Sequence, residues 1–295
     1  MIELRLPRLA FRIGCAGLAL LAGTAVPDAS SCNRRDALGT AWVLAVNAAL
    51  FPRVGLKNFP ETLPLADYEV VLTFDDGPRS PNTDKVLAAL AQECARATFF
   101  LVGRSSAEFP ELVRRMAAQG HTVAHHSWSH PMMSKISFEQ AKEDIERGIA
   151  AVEMGLNGLS TKMPSTPFFR FPYFDATPAT LDLLQARGIV VFGADLWASD
   201  WENITPEQEL TILIERLEAA RRGIILLYDA QTRTAAMLPA FLRYLHQNGY
   251  RIVHLVPAAA KSAEAPLTSD PHRRRRAIHS QRRTQSLQAP TNPIN

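Results

Sequence analysis

Cysteine is scarce in this sequence, with three residues among 295. Cys15 lies inside an apolar N-terminal stretch, so only Cys32 and Cys94 remain for a folded domain. Two cysteines are too few for the disulfide framework of a small secreted domain, although one bridge can form in an oxidising compartment. The chain is 47% hydrophobic, and it can bury a sizeable core instead.

A long hydrophobic run is also missing. The apolar segment at residues 13–22 is too short to span a membrane comfortably. It follows three arginines within residues 1–12 and precedes small residues at 23–25, which is the pattern of an export signal. We therefore expect a signal peptide at residues 1–25 and a periplasmic or secreted protein with no integral membrane span. An uncleaved signal would instead anchor the protein to the membrane.

Positive charge is lacking in the body of the chain, although the whole sequence has a net charge of +3. Residues 1–25 contribute +2 and residues 261–295 contribute +5, which leaves −4 for residues 26–260. We therefore predict no nucleic-acid partner, because such domains carry a basic face. Residues 258–295 show no helix or strand pattern, and we expect a disordered basic tail there.

Strand-like and helix-like stretches alternate through residues 67–257, which predicts an α/β fold with a parallel sheet covered by helices. Seven strand-like runs, alternating with helix-like stretches, indicate an incomplete barrel. An open doubly wound sheet is the alternative, but the sequence has no glycine-rich phosphate loop to support it. The strand-like runs are residues 69–74, 97–102, 122–124, 168–171, 189–192, 224–228 and 251–255.

Capping residues and prolines mark the helices. Helices are expected to begin near Asn82, Pro110, Ser137, Pro178 and Pro206, with a last helix over residues 236–248. Residues 26–66 have a weak pattern. We interpret them as a leader that wraps the domain, with a short helix over residues 38–50.

Unusual polar residues fall where the predicted strands end, which is where a barrel carries its function. Asp75 and Asp76 follow an apolar run, and Gly77-Pro78 breaks the strand immediately after them. Two aspartates at such a break cap a turn more often than they do chemistry. The other polar residues at predicted strand ends are residues 125–126, Arg170, residues 195–201 and residues 228–229.

A histidine cluster favours a chemical role for Asp75 and Asp76 over a role as turn caps. His126 and His130 are four residues apart, so on a helical turn they share one face. Two imidazoles and a nearby carboxylate form an open three-ligand site for a divalent metal, commonly zinc. His121 and His125 cannot share that face, and we interpret both as structural or supporting residues.

Five motifs, in order, give a resemblance to a known family. TFDDGP at residues 73–78 and HSWSH at 126–130 resemble the first two motifs of the polysaccharide deacetylase family, the NodB-homology domain. RFPY at 170–173, DLWASDW at 195–201 and ILLYD at 225–229 resemble the remaining three. The resemblance covers about residues 65–256 and implies a distorted (β/α)7 barrel over the predicted domain at 67–257.

The resemblance also implies roles for the residues at these motifs. Asp76, His126 and His130 would bind a divalent metal, zinc first of all. Asp75 would act as the general base, and Arg170 would pair with it and hold it ionised. The expected partner is an acetylated polysaccharide or oligosaccharide, from which an acetyl group is hydrolysed.

Further roles complete the implied site. The backbone N–H of Tyr173 would form part of an oxyanion site, and Trp201 would line the acetyl pocket. Asp200 stands where the family has the residue that orients a catalytic histidine.

Two positions depart from the family pattern. Trp197 stands where the fourth motif begins with an aspartate, and Tyr228 stands where the fifth motif offers a histidine as the general acid. A phenol has an ordinary pKa of ~10 against ~6.5 for histidine, so Tyr228 is a poor acid at neutral pH. Asp200 then either loses its partner or hydrogen-bonds the phenol.

Three functions remain open at this point. The first is an exported metal-dependent deacetylase, slowed by Tyr228 and acting on N-acetyl or O-acetyl sugars. The second is a degenerate member of the family that binds metal and glycan without useful turnover. A phosphatase with an Asp-x-Asp pair is the third, and the adjacent Asp75 and Asp76 do not match that spacing.

Overall fold

The computed structural model describes Arg34 and residues 36–258 of the chain. The predicted signal peptide, Cys32 and nearly all of the predicted basic tail lie outside these residues. Strands of the described part are β1 (Trp42–Val46), β2 (Arg53–Val54), β3 (Glu69–Asp75), β4 (Thr98–Leu101), β5 (Thr122–His125), β6 (Phe168–Phe169), β7 (Val190–Phe192), β8 (Leu196–Trp197), β9 (Gly223–Tyr228) and β10 (Arg251–Pro257).

Helices cover this sheet, as the alternation predicts. They are α1 (Asn82–Gln92), α2 (Gly103–Glu108), α3 (Pro110–Ala118), α4 (Phe138–Asn157), α5 (Pro178–Ala186), α6 (Pro206–Ala220) and α7 (Thr232–Gln247). Five predicted starts agree to within one residue, whereas α7 begins four residues earlier than predicted and α2 was not predicted. α4 begins with a capping box in which Ser137 and Gln140 bond each other's backbone N–H groups. No helix within residues 36–258 is long and apolar enough to cross a membrane.

Every ladder between these strands is parallel, which confirms the predicted α/β class. β3 pairs with β4 along one edge and with β9 along the other. From β4 the pairing continues through β5, β6 and β7 to β2, while β9 also pairs with β8. No ladder of the described residues joins β7 or β2 to β8, so the distorted barrel is open on that side.

One predicted element is wrong. Residues 38–50 do not form a short helix, because β1 lies there and pairs with β10 over its whole length. The indole N–H of Trp42 also donates to the Glu69 carboxylate at 3.0 Å. An available strand edge satisfies the backbone of β1, and this tertiary pairing outweighs weak local helix propensity.

Side-chain alternation along β3 explains how the fold positions the site. Val70, Leu72 and Phe74 pack in the cluster formed with α1 and α7. Val71 belongs to a second cluster, which lies inside the barrel. Asp75 has the same parity as Val71, so the strand directs its carboxylate into the barrel.

Candidate active site

Three potential metal ligands converge at the ends of β3 and β5. Asp76 follows β3 directly, and its φ of 71° turns the chain away from the strand direction. Its Oδ1 lies 3.1 Å from Nε2 of His130 and 3.4 Å from Nε2 of His126. One ligand atom from each of these residues lies within 4.8 Å of the other two. The structure thus brings together the three residues that the sequence analysis grouped.

The structure brings His126 and His130 together in a different way from the one that the sequence predicts. His126 and His130 do not share a helix face, because residues 126–130 form a loop. Ser127 and His130 adopt positive φ angles of 64° and 61° there. The backbone N–H of His130 donates to Oγ of Ser127 at 3.1 Å, so a tight loop turns both imidazoles toward Asp76.

Asp144 on α4 supports this loop, a role that sequence motifs did not reveal. Its Oδ1 accepts from the backbone N–H groups of Trp128 at 2.9 Å and Ser129 at 3.2 Å. Its Oδ2 accepts from the Ser129 hydroxyl at 2.6 Å. One turn further, a Cβ at Gly148 would lie 2.3 Å from the carbonyl carbon of Ser127, so only glycine permits this approach. The helix therefore holds the backbone that carries both histidines.

We predict that Asp144→Ala lowers the affinity for Zn²⁺ by about tenfold to hundredfold, the usual effect of losing a group that orients metal ligands. Asp144→Asn should retain much of the affinity, because an amide oxygen can still accept from the two backbone N–H groups. Calorimetric titration with Zn²⁺ measures the effect, with Glu143→Ala on the exposed face of α4 as control. Equal affinities in all four proteins would contradict the role of Asp144.

The chemistry of the cluster fits a divalent cation. Oδ1 of Asp76 is buried without a hydrogen-bond partner, although two ring nitrogens are near it. Nδ1 of His126 lies 2.7 Å from the carbonyl oxygen of Arg170 and must donate to it, which leaves Nε2 with a lone pair facing the cluster. Burial alone would raise the pKa of Asp76, but the two imidazoles lower it below its ordinary range. One ionised carboxylate and two imidazoles are the donor set of an open zinc site.

Asp75 and Arg170 form a buried ion pair next to these ligands. Arg170 donates to Oδ1 of Asp75 at 2.7 Å, to the Thr73 hydroxyl at 2.9 Å and to the Gly193 carbonyl at 2.8 Å. Its guanidinium carbon lies 4.3 Å from the centre of the Phe100 ring. Burial raises the pKa of Asp75 above its ordinary value, and the charge of Arg170 opposes this shift without cancelling it. The pair of Asp75 and Arg170 that the resemblance implies is therefore present, and the Arg170 charge favours the ionised form of Asp75.

Tyr228 and Asp200 lie together beside the ion pair, since Tyr228 on β9 is the register partner of Asp75 on β3. Oδ2 of Asp200 accepts from the backbone N–H of Tyr228 at 2.9 Å and from the Thr234 hydroxyl at 2.8 Å. Asp200 therefore bonds the backbone at position 228, and neither of these bonds involves the phenol. Burial raises the pKa of Asp200 to about 7. Burial also raises the pKa of the Tyr228 phenol, with Asp75 and Asp76 adding to the shift, so the phenol keeps its proton.

Two aromatic side chains border the site. Tyr173 has a φ of 56° in a 3-10 turn, and its ring centre lies 4.6 Å from that of His130. Trp201 is half-exposed, and its ring meets that of Tyr228 edge-on at 6.2 Å. The nine predicted site residues thus form two connected groups, six around Asp76 and three around Tyr228, and the groups meet where Tyr228 on β9 pairs with Asp75 on β3. His125, interpreted as structural, is buried 3.7 Å from Glu153, and burial lowers its pKa to about 3.

Comparisons with known proteins agree with this geometry. The sequence model of a family described as polysaccharide deacetylase matches residues 64–192. A curated relative from Bacillus cereus, a peptidoglycan-N-acetylglucosamine deacetylase, is 32% identical over 139 residues, which are 47% of this chain and 48% of the relative. This chain therefore spans about half the length of that relative.

Solved structures of deacetylases and a related esterase are similar to a larger part of the chain. A peptidoglycan deacetylase from Bdellovibrio bacteriovorus is 32% identical and aligns with a TM-score of 0.66, covering 78% of this chain and 62% of its own. A family 4 carbohydrate esterase from Streptomyces lividans, solved with acetate, is 33% identical with a TM-score of 0.52. That comparison covers 64% of this chain and 91% of the esterase.

Proposed function

The chain belongs to the polysaccharide deacetylase family, and we propose that it is an exported, metal-dependent hydrolase that removes acetyl groups from the sugars of a polysaccharide. The observation that carries the proposal is the cluster of Asp76, His126 and His130 directly beside the buried pair of Asp75 and Arg170. Such a site combines a metal centre with a fixed carboxylate base.

Asp75 is the residue best placed to accept a proton. Arg170 occupies its Oδ1, while its Oδ2 lies 3.8 Å from Nε2 of His126, on the side of the ligand atoms. A divalent ion held by Asp76, His126 and His130 would acidify a water molecule and polarise an acetyl carbonyl. The attacking water would lose its proton to Oδ2 of Asp75. The positive charge of the ion would add to that of Arg170 in favouring the ionised form of Asp75.

The other residues would act on the acetyl group. The Tyr173 N–H would donate to the oxygen that becomes negative during attack, and the Trp201 ring would pack on the acetyl methyl. The phenol of Tyr228 is a proton donor at the end of β9, at the position where the family resemblance places a histidine. Because burial raises its pKa, it gives up its proton reluctantly, and we expect slow release of an amine leaving group.

Export is supported by one observation in the described residues. Cys94 is disulfide-bonded, and disulfides persist in oxidising compartments. Protein recovered from outside the cytoplasm of a bacterial host should therefore begin near Val26. A soluble cytoplasmic product with an intact N-terminus would contradict export.

The proposed activity predicts release of acetate from acetylated oligosaccharides. Coupled assays on N-acetylglucosamine oligomers, peptidoglycan strands and O-acetylated glycans should detect it with at least one substrate. Asp75→Asn should lower the rate by about 10²–10⁴-fold, the usual contribution of a general base. Asp67→Asn is the control, because Asp67 pairs with Arg221 and Arg222 on the surface.

A second candidate function has its own support. Tyr228 replaces the expected acid, so a family member that binds metal and glycan without useful turnover fits the same site. Protein that binds metal and oligosaccharide but releases no acetate from any of these substrates would favour this candidate.

A further inference from the structure

Lys57 lies at the open side of the barrel, within the segment that the sequence suggested was only a leader. Its backbone N–H donates to the carbonyl of Ala194 at 2.9 Å, and the preceding N–H of Leu56 donates to Oδ1 of Asp195 at 2.8 Å. A Cβ at Gly55 would lie 2.6 Å from the backbone nitrogen of Ala194, so this loop packs closely on the connection between β7 and β8. The loop thereby fixes where the Lys57 side chain begins.

The ammonium group of Lys57 lies over an aromatic surface. Its Nζ is 3.3 Å from the centre of the Trp197 ring and 5.8 Å from the centre of the Trp201 ring. Trp201 in turn meets Tyr228, the residue at the end of β9, at 6.2 Å. Lys57 is therefore connected to the candidate active site through a single aromatic ring. Trp197 is also one of the two positions at which this chain departs from its family.

A second cation contacts the same indole. The guanidinium carbon of Arg216 lies 4.8 Å from the Trp197 ring centre, and Arg216 also donates to the Trp197 carbonyl at 2.7 Å and to the Ser199 hydroxyl at 2.9 Å. Arg216 thus has polar partners. Within the described part of the chain, Nζ of Lys57 has no carboxylate within salt-bridge distance and no hydrogen-bond acceptor. Burial and the charge of Arg216 both lower the pKa of Lys57, so an added anion would stabilise its charged form.

We propose that Lys57 binds the carboxylate of an acidic sugar beside the acetylated one, so that the preferred substrate is an anionic polysaccharide. This inference rests on the proposed deacetylase function. A carboxylate matches a single ammonium donor as a charge-assisted hydrogen bond. The half-exposed Trp201 ring would hold the apolar face of the neighbouring sugar.

The test compares an N-acetylated oligosaccharide that carries one sugar carboxylate with its methyl ester, which has nearly the same shape and no charge. Wild type should prefer the acid in kcat/KM by about threefold to tenfold, mainly through KM, as expected for a partly exposed charge pair. Lys57→Met should bring the ratio of acid to ester to about one, and Lys57→Arg should restore part of it. Salt at about 0.5 M should reduce the wild-type preference.

Lys85→Met is the matched control, because Lys85 is an exposed lysine on α1. An acid-to-ester ratio in Lys57→Met equal to that of wild type would overturn the proposal. If no substrate is hydrolysed, the deacetylase function fails instead. Calorimetric binding of the acid and the ester to wild type and Lys57→Met then decides the role of Lys57 separately: a loss of preference in the variant supports it, and equal preferences refute it.

Discussion

His126→Ala and His130→Ala should each leave the purified protein nearly free of metal, whereas wild type should carry about one zinc or similar divalent ion per chain. Each histidine supplies one of only three protein ligands, so its removal leaves two. Zinc sites typically have three or four protein ligands, so we expect a site with two to lose the ion during purification. Elemental analysis after dialysis measures the content directly, without reference to any activity.

Two further variants test whether the loss of metal is specific to the cluster of Asp76, His126 and His130. His246→Ala removes an exposed histidine from α7 and should not change the metal content. Asp76→Asn is a useful third variant, because it keeps the shape of the ligand but removes its charge. Its metal content should fall as well, since a neutral amide is a weaker ligand than a carboxylate. Stoichiometric metal in both histidine variants would show that the cluster is not the metal site.

Much of this site could be predicted from the sequence, because periodicity and strand breaks determine where side chains point. The apolar run before Asp75 gave a buried strand, and strand parity alone directs that carboxylate into the barrel. Gly77 and Pro78 marked the end of the strand, where Asp76 turns outward with its positive φ. The two carboxylates therefore perform different tasks in the proposed mechanism, although they are adjacent in sequence.

Other features depend on contacts between distant segments and have no local signal. The histidine loop is held by Asp144, fourteen residues beyond His130, and by the close approach of Gly148. A spacing of four suggested a helix, but the tertiary contacts imposed a loop. The sequence likewise predicts a helix where β1 lies, because the edge of β10 with which β1 pairs is more than 200 residues away. The position of Lys57 could not be predicted either, because its aromatic partners, Trp197 and Trp201, lie on β8 and just after it.

Tyr228→His should raise the N-deacetylase rate by ~10-fold or more, a cautious share of the ~10²–10⁴-fold that general acid catalysis contributes. The tetrahedral intermediate of an amide collapses productively only when the departing nitrogen is protonated. The Tyr228 phenol is a weak donor because burial raises its pKa. Asp200 already lies beside position 228, and its Oδ1 has no hydrogen-bond partner among the described residues. It is therefore available to accept from the N–H of an introduced imidazole.

The dependence of the rate on substrate and pH shows whether the introduced imidazole acts as the general acid or the variant is simply a better enzyme. An ester releases its alkoxide far more easily than an amide releases its amine, so Tyr228→His should help an O-acetyl substrate much less than an N-acetyl substrate. The variant should also lose activity as the pH rises through the pKa of its imidazole, ordinarily ~6.5, because a general acid must be protonated to donate. Wild type should show no such loss in that range, since its phenol stays protonated well above it.

Tyr228→Phe completes the comparison, because it keeps the ring against Trp201 and removes only the hydroxyl. If the phenol donates the proton slowly, Tyr228→Phe should be slower than wild type on the N-acetyl substrate and nearly equal to it on the O-acetyl substrate. Rates measured from pH 5 to 9 for all three proteins test this order. A fast wild-type amidase that Tyr228→His slows would mean that the phenol is an effective acid despite its burial. The replacement of histidine at position 228 would then be a working alternative and not an impairment.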